Sequence, residues 1–214
     1  MSCGANEPRA DEFAMRMIDY DAILKNVGRH AAIDEAAMEH FISLLKFRRL
    51  PRKALLLREG QACRNFYYVH SGALRAYCMD KKGKEATIMF APADWWVTDM
   101  FCFLNGRKAM MYIEALEESE IFQISKTQLD QLLDRWPTFE RWFRVLMQNA
   151  YTREQLRAID NLSLSAEQRY ASFVAKYPVI ARQLTQKQIA SYLGITPEFL
   201  SAIIGKGGRR DGRS

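Results

Sequence analysis

Apolar residues change their spacing several times along this chain of 214 residues. From Asp11 to about Leu50 the pattern is helical, with Met17, Ile18 and Tyr20 followed by Ile33, Met38, Phe41, Leu44 and Leu45, three or four apart in the second part. Pro51 breaks the pattern. Short extended pieces follow: Ala54 to Gly60, Phe66 to Gly72, and a hairpin in which Leu74, Ala76 and Cys78 alternate with Arg75, Tyr77 and Met79. Asp80 to Lys84 supplies its polar turn and Thr87 to Phe90 its return strand. Tyr112 to Leu116 and Ile121 to Ile124 complete a set expected to close as a small antiparallel roll.

Helical spacing resumes after Ser125, where Ser125 and Gln128 have capping-box spacing and Leu129, Leu132 and Leu133 form a stripe. Pro137 starts a pattern running to about Leu162, with Phe139, Trp142, Phe143, Leu146, Ala150, Leu156 and Ile159 on one side. Some 25 residues make a helix of about 37 Å, which packs across two domains or pairs with its twin in a dimer, and both together are the preferred reading. Ser163 to Glu167 is a break, and Ser165 with Gln168 caps a further helix that ends near Pro178. The predicted organisation is a sensor domain over residues 11–136, a dimerisation helix over 137–162, and a C-terminal domain over 163–214. The fold class is α+β, an antiparallel β-roll of jelly-roll type flanked by helices.

The segment from Thr185 to Ser201 is the most informative. Thr185 and Gln188 form a capping box; Ile189 and Leu193 give the buried face, and Ala190 is small where a second helix must approach. Gly194 suits the left-handed position that ends a helix. Thr196 caps the next helix, Pro197 takes its first turn, and Glu198 complements its dipole. Leu200, Ile203 and Ile204 supply that helix's core contacts. Two short helices joined by a glycine turn describe a helix-turn-helix, whose second helix enters the major groove; an ordinary αα-hairpin shares the same caps. Thr185, Gln186, Thr196, Pro197, Glu198 and Ser201 are the candidate DNA contacts. The stretch from Gly205 to Ser214 is glycine-rich and basic, too short and flexible for a two-stranded wing. It reads as a phosphate-tracking arm carrying Lys206, Arg209 and Arg210, or as a solvated tail.

Charge agrees with an anionic partner: 31 Lys and Arg against 25 Asp and Glu leave a formal net charge of +6. No run of about 18 apolar residues exists to span a bilayer, and the polar, acid-bearing N-terminus does not fit a secretory signal. Cys3, Cys63, Cys78 and Cys102 lie far apart with no C-x-x-C pair, the usage of reduced thiols in the cytoplasm rather than of an iron–sulfur site. His30, His40 and His70 are dispersed, and no hydrolase, zinc-protease, phosphate-loop or dinucleotide motif is present, so an enzyme is not expected and no cofactor is implied.

Several of these segments, taken in order, resemble the Crp/Fnr superfamily of regulators. They are Leu57 to Gly60, Tyr67 to Gly72, Asp80 to Glu85, Leu162 to Tyr170, and the helix-turn-helix. The resemblance implies a cyclic-nucleotide-binding-type roll, a long helix pairing two subunits, and a winged helix on double-stranded DNA. RNA polymerase is the further partner it implies. In the family's cyclic-AMP receptors a Gly-Glu pair and then an Arg-Ser pair hold the nucleotide. Here Thr98 and Asp99 replace the first pair, Ala109 and Met110 the second, with Met100 and Phe101 between them. Losing the arginine–phosphate contact costs about 1.5–3 kcal/mol. Either the pocket takes a less anionic, unidentified small-molecule effector, or it has filled in. The recognition helix departs too: Pro197 and Ala202 stand where those receptors place arginines, while Glu198 matches an acidic base reader. A homodimeric regulator reading a pseudo-palindrome is the first reading. A ligand sensor or dimer scaffold whose helix-turn-helix no longer reads DNA is the second.

Overall fold

The computed structural model describes residues 18–208. Two helices, α1 (Asp21–Gly28) and α2 (Glu35–Leu44), lead into eight strands: β1 (Lys46–Leu50), β2 (Leu55–Leu57), β3 (Asn65–Ser71), β4 (Ala73–Met79), β5 (Glu85–Pro92), β6 (Trp95–Val97), β7 (Tyr112–Ala115) and β8 (Ser119–Ser125). A one-turn helix, α3 (Met100–Leu104), interrupts the strands. Then come α4 (Lys126–Arg135), the 27-residue α5 (Pro137–Ser163), α6 (Ala166–Lys176), α7 (Pro178–Gln183), α8 (Gln186–Leu193) and α9 (Pro197–Gly208).

The strands form two antiparallel four-stranded sheets, ordered β1-β8-β3-β6 and β2-β7-β4-β5. Apolar side chains fill the space between them, and the cluster extends onto the helices through Phe41, Phe139 and Trp142. Trp142 lies 5.2 Å from Trp96 and 6.1 Å from Phe139, ring centre to ring centre, so the start of α5 is anchored in the roll. All three side chains are fully buried or nearly so, and truncating a large aromatic in such a setting costs about 3–5 kcal/mol.

Three expectations change. Residues Lys46–Leu50, read as helical, are an edge strand paired with β8; beside the cations Lys46, Arg48 and Arg49 only Phe47 and Leu50 turn towards apolar neighbours, so the alternation is faint. The apolar stripe of α5 does not serve one surface. Phe139 and Trp142 enter the roll, whereas Leu156, Ile159 and Leu162 are 56%, 51% and 91% exposed. The segment after Ile204 stays helical to Gly208 instead of loosening at Gly205.

The C-terminal helices share a second core cluster with the roll. Phe173, Tyr177, Ile189, Leu193 and Leu200 cluster around Phe90 and Ala73 of the roll. Phe90 lies 5.9 Å from Phe173 and 5.3 Å from Tyr192.

The β3–β4 turn depends on Gly72 at φ +79°, where an added Cβ would stand 2.4 Å from Ser119 Oγ and 2.6 Å from the Glu118 carbonyl oxygen. Gly83, at φ +77°, faces open space. Gly83→Ala is therefore expected to lose about 1 kcal/mol, the left-handed penalty alone, and Gly72→Ala at least about 2 kcal/mol, because a steric term adds to it. Urea denaturation of the two variants measures the difference, and equal losses would contradict the assigned close approach.

Candidate nucleic-acid interface and effector cleft

The helix-turn-helix is built from local caps. The Thr185 N–H donates to Gln188 Oε1 at 2.9 Å while the Gln188 N–H donates to Thr185 Oγ1 at 3.2 Å, closing the box that starts α8. Gly194 ends α8 in the left-handed conformation at φ +69°, and the Ile195 N–H returns to the Ala190 carbonyl at 3.0 Å. Thr196 Oγ1 accepts from the Phe199 N–H at 3.2 Å and so begins α9. Ala190 is 1% exposed at the crossing of the two helices, and Leu200 is wholly buried.

These caps leave Thr185 and Gln186 exposed at the start of α8, and Thr196, Pro197, Glu198 and Ser201 exposed along the first turns of α9. The Glu198 carboxyl is held below its ordinary pKa by its own backbone N–H and by the Thr196 hydroxyl. It is therefore an ionised acceptor at neutral pH. Of the tail residues, the Lys206 backbone continues α9, while Arg209 and Arg210 lie outside the described residues.

The opposite face of α8 is docked on β5, the outer strand of its sheet. Ser191 Oγ donates to the Glu85 carbonyl and accepts from the Thr87 N–H, both at 2.9 Å, and lies 3.0 Å from the Thr87 hydroxyl. Next to it the strand bulges: Ala76 pairs with Met89 and Tyr77 with Thr87, so Ile88 has no partner across the ladder. The Arg157 guanidinium of α5 donates to the freed Ile88 carbonyl and, at 3.4 Å, to that of Thr87. The same guanidinium lies 4.7 Å from the centre of the Tyr192 ring. None of this was legible from the chain, because a serine on a helix face gives no sign of the strand it will meet.

A second site lies between the roll and the middle of α5, a cavity of about 410 Å³. Thr98, Asp99, Met100, Phe101 and Met110 line it. Ala109 does not. It is 3% exposed and is tied into the neighbouring loops, its N–H donating to the Gln61 carbonyl at 2.7 Å and its own carbonyl accepting from Gly60. Arg107, the arginine two residues before Ala109, lies over the Phe101 ring at 5.4 Å. Met89, Met111, Met147, Asn149 and Arg153 are further lining residues, the last three from α5. On α5, Asn149 and Arg153 follow Trp142 and Leu146 at steps of three and four, and Met147 follows Phe143 at a step of four, a signal the sequence did contain.

Asp99 decides the electrostatics of this cavity. It is 1% exposed; Oδ1 accepts from the Cys102 N–H at 3.3 Å and Oδ2 from the Met110 N–H at 2.8 Å. A resident carboxylate thus occupies backbone amides that could otherwise face an external anion. Beside it, burial pushes the Cys63 and Cys102 thiols above their ordinary pKa, so neither is a reactive thiolate. At the other end, burial raises the Asp94 carboxyl but hydrogen bonds from Asn26, Arg29 and Tyr68 outweigh it and hold the group below the usual range. Among the described residues no group of three or more His, Cys, Asp or Glu side chains is arranged to hold a metal, and no helix is long and apolar enough to cross a membrane.

Comparison with known proteins places this architecture. The profile of the cyclic nucleotide-binding domain matches residues 47–135. The regulatory protein HlyX of Actinobacillus pleuropneumoniae is 26% identical over 167 residues, covering 72% of this chain and 68% of that protein. The fumarate and nitrate reduction regulatory protein of Vibrio cholerae is 26% identical over 162 residues, covering 71% of this chain and 64% of that protein. The chain thus spans about two thirds of the length of these relatives. A solved structure from Eubacterium rectale, described as a transcriptional regulator of the Crp/Fnr family, superposes with a TM-score of 0.68 at 17% identity, over 83% of this chain and 85% of that one, and shows the shared fold. A cyclic-nucleotide-binding roll, a long central helix and a terminal helix-turn-helix, in that order, are what this chain shares with these regulators.

Proposed function

We propose that this protein is a DNA-binding transcription regulator that acts as a homodimer, with residues 11–136 as sensor, residues 137–162 as the pairing helix and residues 163–214 as the DNA-binding unit. The observation that carries the reading is the pair of capped helices α8 and α9. They bury Ala190 and Leu200 while presenting Thr196, Pro197, Glu198 and Ser201 to solvent. Ionised Glu198 is suited to accept from a cytosine amino group, and Thr185, Gln186 and Ser201 to contact phosphate or base. With no arginine on the described face of α9, much of the affinity is expected from the phosphate backbone. A scaffold role is the second reading, favoured by Pro197 and Ala202 at positions where the family's cyclic-AMP receptors carry arginine.

Pairing is supported by the end of α5. Leu156, Ile159 and Leu162 recur every three residues and are exposed, with Tyr151 70% exposed nearby. A helix about 40 Å long with such a face buries it most simply against a second copy of itself. Two recognition helices set about 34 Å apart would meet successive major grooves of an inverted repeat.

Two measurements test this. Selection from a randomised duplex library is expected to enrich an inverted repeat, with affinity falling about a thousandfold between 50 and 200 mM salt, as for roughly six phosphate contacts. If no motif is enriched and residual binding disappears at physiological salt, the scaffold reading replaces the regulator. Sedimentation of the wild-type chain at micromolar concentration should give a dimer, and the double variant Leu156→Glu, Leu162→Glu a monomer whose roll melts unchanged. Four glutamates facing one another across the seam would weaken pairing by about a hundredfold or more. A wild-type monomer, or a double variant that stays dimeric, would remove α5 from the proposed role.

A further inference from the structure

Cations gather where the long helix meets the C-terminal helices. A cleft of about 490 Å³ there is lined from α5 by Arg153, Arg157 and Asp160, from α6 by Arg169 and Lys176, and from β6 by Trp95. Trp95, Asn149 and Arg153 also line the cavity between the roll and α5, but the walls from α6 and α8 are not shared with it. Three of the cations lie on aromatic faces: Arg153 on Trp95 and Arg157 on Tyr192, both at 4.7 Å, and Lys176 on Tyr177 at 5.3 Å. The carboxylates facing them are Asp160, on the cleft wall, and Glu154, 3.6 Å from both Arg153 and Arg157. Four cations against two carboxylates leave a surplus of two positive charges. Burial pushes the Tyr177 and Tyr192 hydroxyls up, so neither adds negative charge at neutral pH.

We infer that this cleft, at the joint between α5 and α6, is a site for a small molecule bearing a phosphate or pyrophosphate group, held by Arg153, Arg169 and Lys176. A surplus of positive charge in a partly enclosed space is unfavourable by itself, and it matches the charge of a phosphate monoester near neutral pH. The donors are also unspent. Arg153 donates no hydrogen bond, and an arginine stacked on a ring keeps its in-plane N–H groups for an anion. Lys176 has neither a hydrogen bond nor an ion pair. Partial burial, with Arg153 and Arg157 nearby, holds its ammonium below the ordinary pKa, as expected of a cation short of a counter-ion. Arg169 donates from Nη1 to the Leu164 carbonyl at 3.0 Å and from Nη2 to the Leu193 carbonyl at 3.3 Å, while its Nε–H is buried without a partner. A buried N–H of that kind is destabilising until something accepts from it. Arg153 and Arg157 keep only 29% and 23% of their side chains exposed, which favours a small anion entering the cleft over a duplex laid across it. An anion held there ties α5 to α6 across Leu164, and its binding does not depend on the regulator reading.

Inorganic pyrophosphate probes the site in the full chain, by titration calorimetry at constant ionic strength. One pyrophosphate per chain is expected, with a Kd below about 1 mM. Lys176→Gln and Arg153→Gln each remove one charge-assisted contact and should weaken the probe by about tenfold, while Lys176→Arg should stay within about threefold of the wild type. Lys82→Gln, exposed on the β4–β5 turn, removes the same charge elsewhere and should change binding less than about twofold. Lys176 is exposed, so its loss of binding is not a loss of folding, and Lys176→Gln must show the effect without help from Arg153→Gln. The inference is overturned if pyrophosphate does not bind, if both cleft variants bind as the wild type does, or if Lys82→Gln weakens the probe as much as they do. It is also overturned if a random-sequence duplex displaces the probe and itself binds Lys176→Gln more weakly in proportion, since the cations then serve the DNA backbone. Enrichment of an inverted repeat is scored separately, so either reading can fail while the other stands.

Discussion

The arrangement of this molecule depends on how the free edge of β5 is covered. An outer strand exposes unpaired N–H and C=O groups, and leaving them buried without partners costs about as much as breaking a hydrogen bond each. Here the covering groups come from two elements far away in sequence: Ser191 on α8 takes Glu85 and Thr87, and Arg157 on α5 takes Ile88 and Thr87. Because the bulge at Ile88 turns its carbonyl out of the ladder, a long cationic side chain can reach it. The consequence is mechanical. The first helix of the helix-turn-helix is fixed in register with a strand of the roll, and Phe90, Phe173 and Tyr192 close the apolar contact around those bonds.

What could be read from the chain was what is decided locally. The capping boxes at Ser125, Ser165 and Thr185 and the left-handed Gly194 involve residues at most a few positions apart, and all four stand as expected. The roll's hairpins were legible for the same reason, since alternation and turn residues carry them. β1 was lost because an edge strand guarded by Lys46, Arg48 and Arg49 lacks the apolar alternation that identifies strands. The long stripe on α5 was visible, but its division between the roll and open solvent depends on where the roll ends in space. Spacing along a helix does not contain that information.

The candidate site divides in the same manner. Thr98, Asp99 and Met110 fell at the cavity wall because the cassette follows one strand, one short helix and one loop in order. Ala109 fell outside it because loop hydrogen bonds to Gln61 and Gly60 turn it away, and those partners lie nearly fifty residues upstream. Chain order identified which residues were absent from the phosphate site. It did not show that Asp99 accepts from two backbone amides, since only the fold brings those amides to one carboxylate.

The cavity and the covered edge share a strand, which ties the two halves of the molecule together. Ile88 and Met89 line the cavity, and the carbonyl of that same Ile88 holds Arg157. Arg153, one turn earlier on α5, lines the cavity as well. A ligand can shift a conformational balance only through a difference in affinity for two arrangements. In this fold that difference has a defined place to act. An occupant that moves the Ile88 bulge or the Arg153 turn changes the geometry of the bonds between Arg157 and β5, and Ser191 is attached to the adjoining residue, Thr87. One strand of the roll thus carries the contacts to the cavity and to the helix-turn-helix alike.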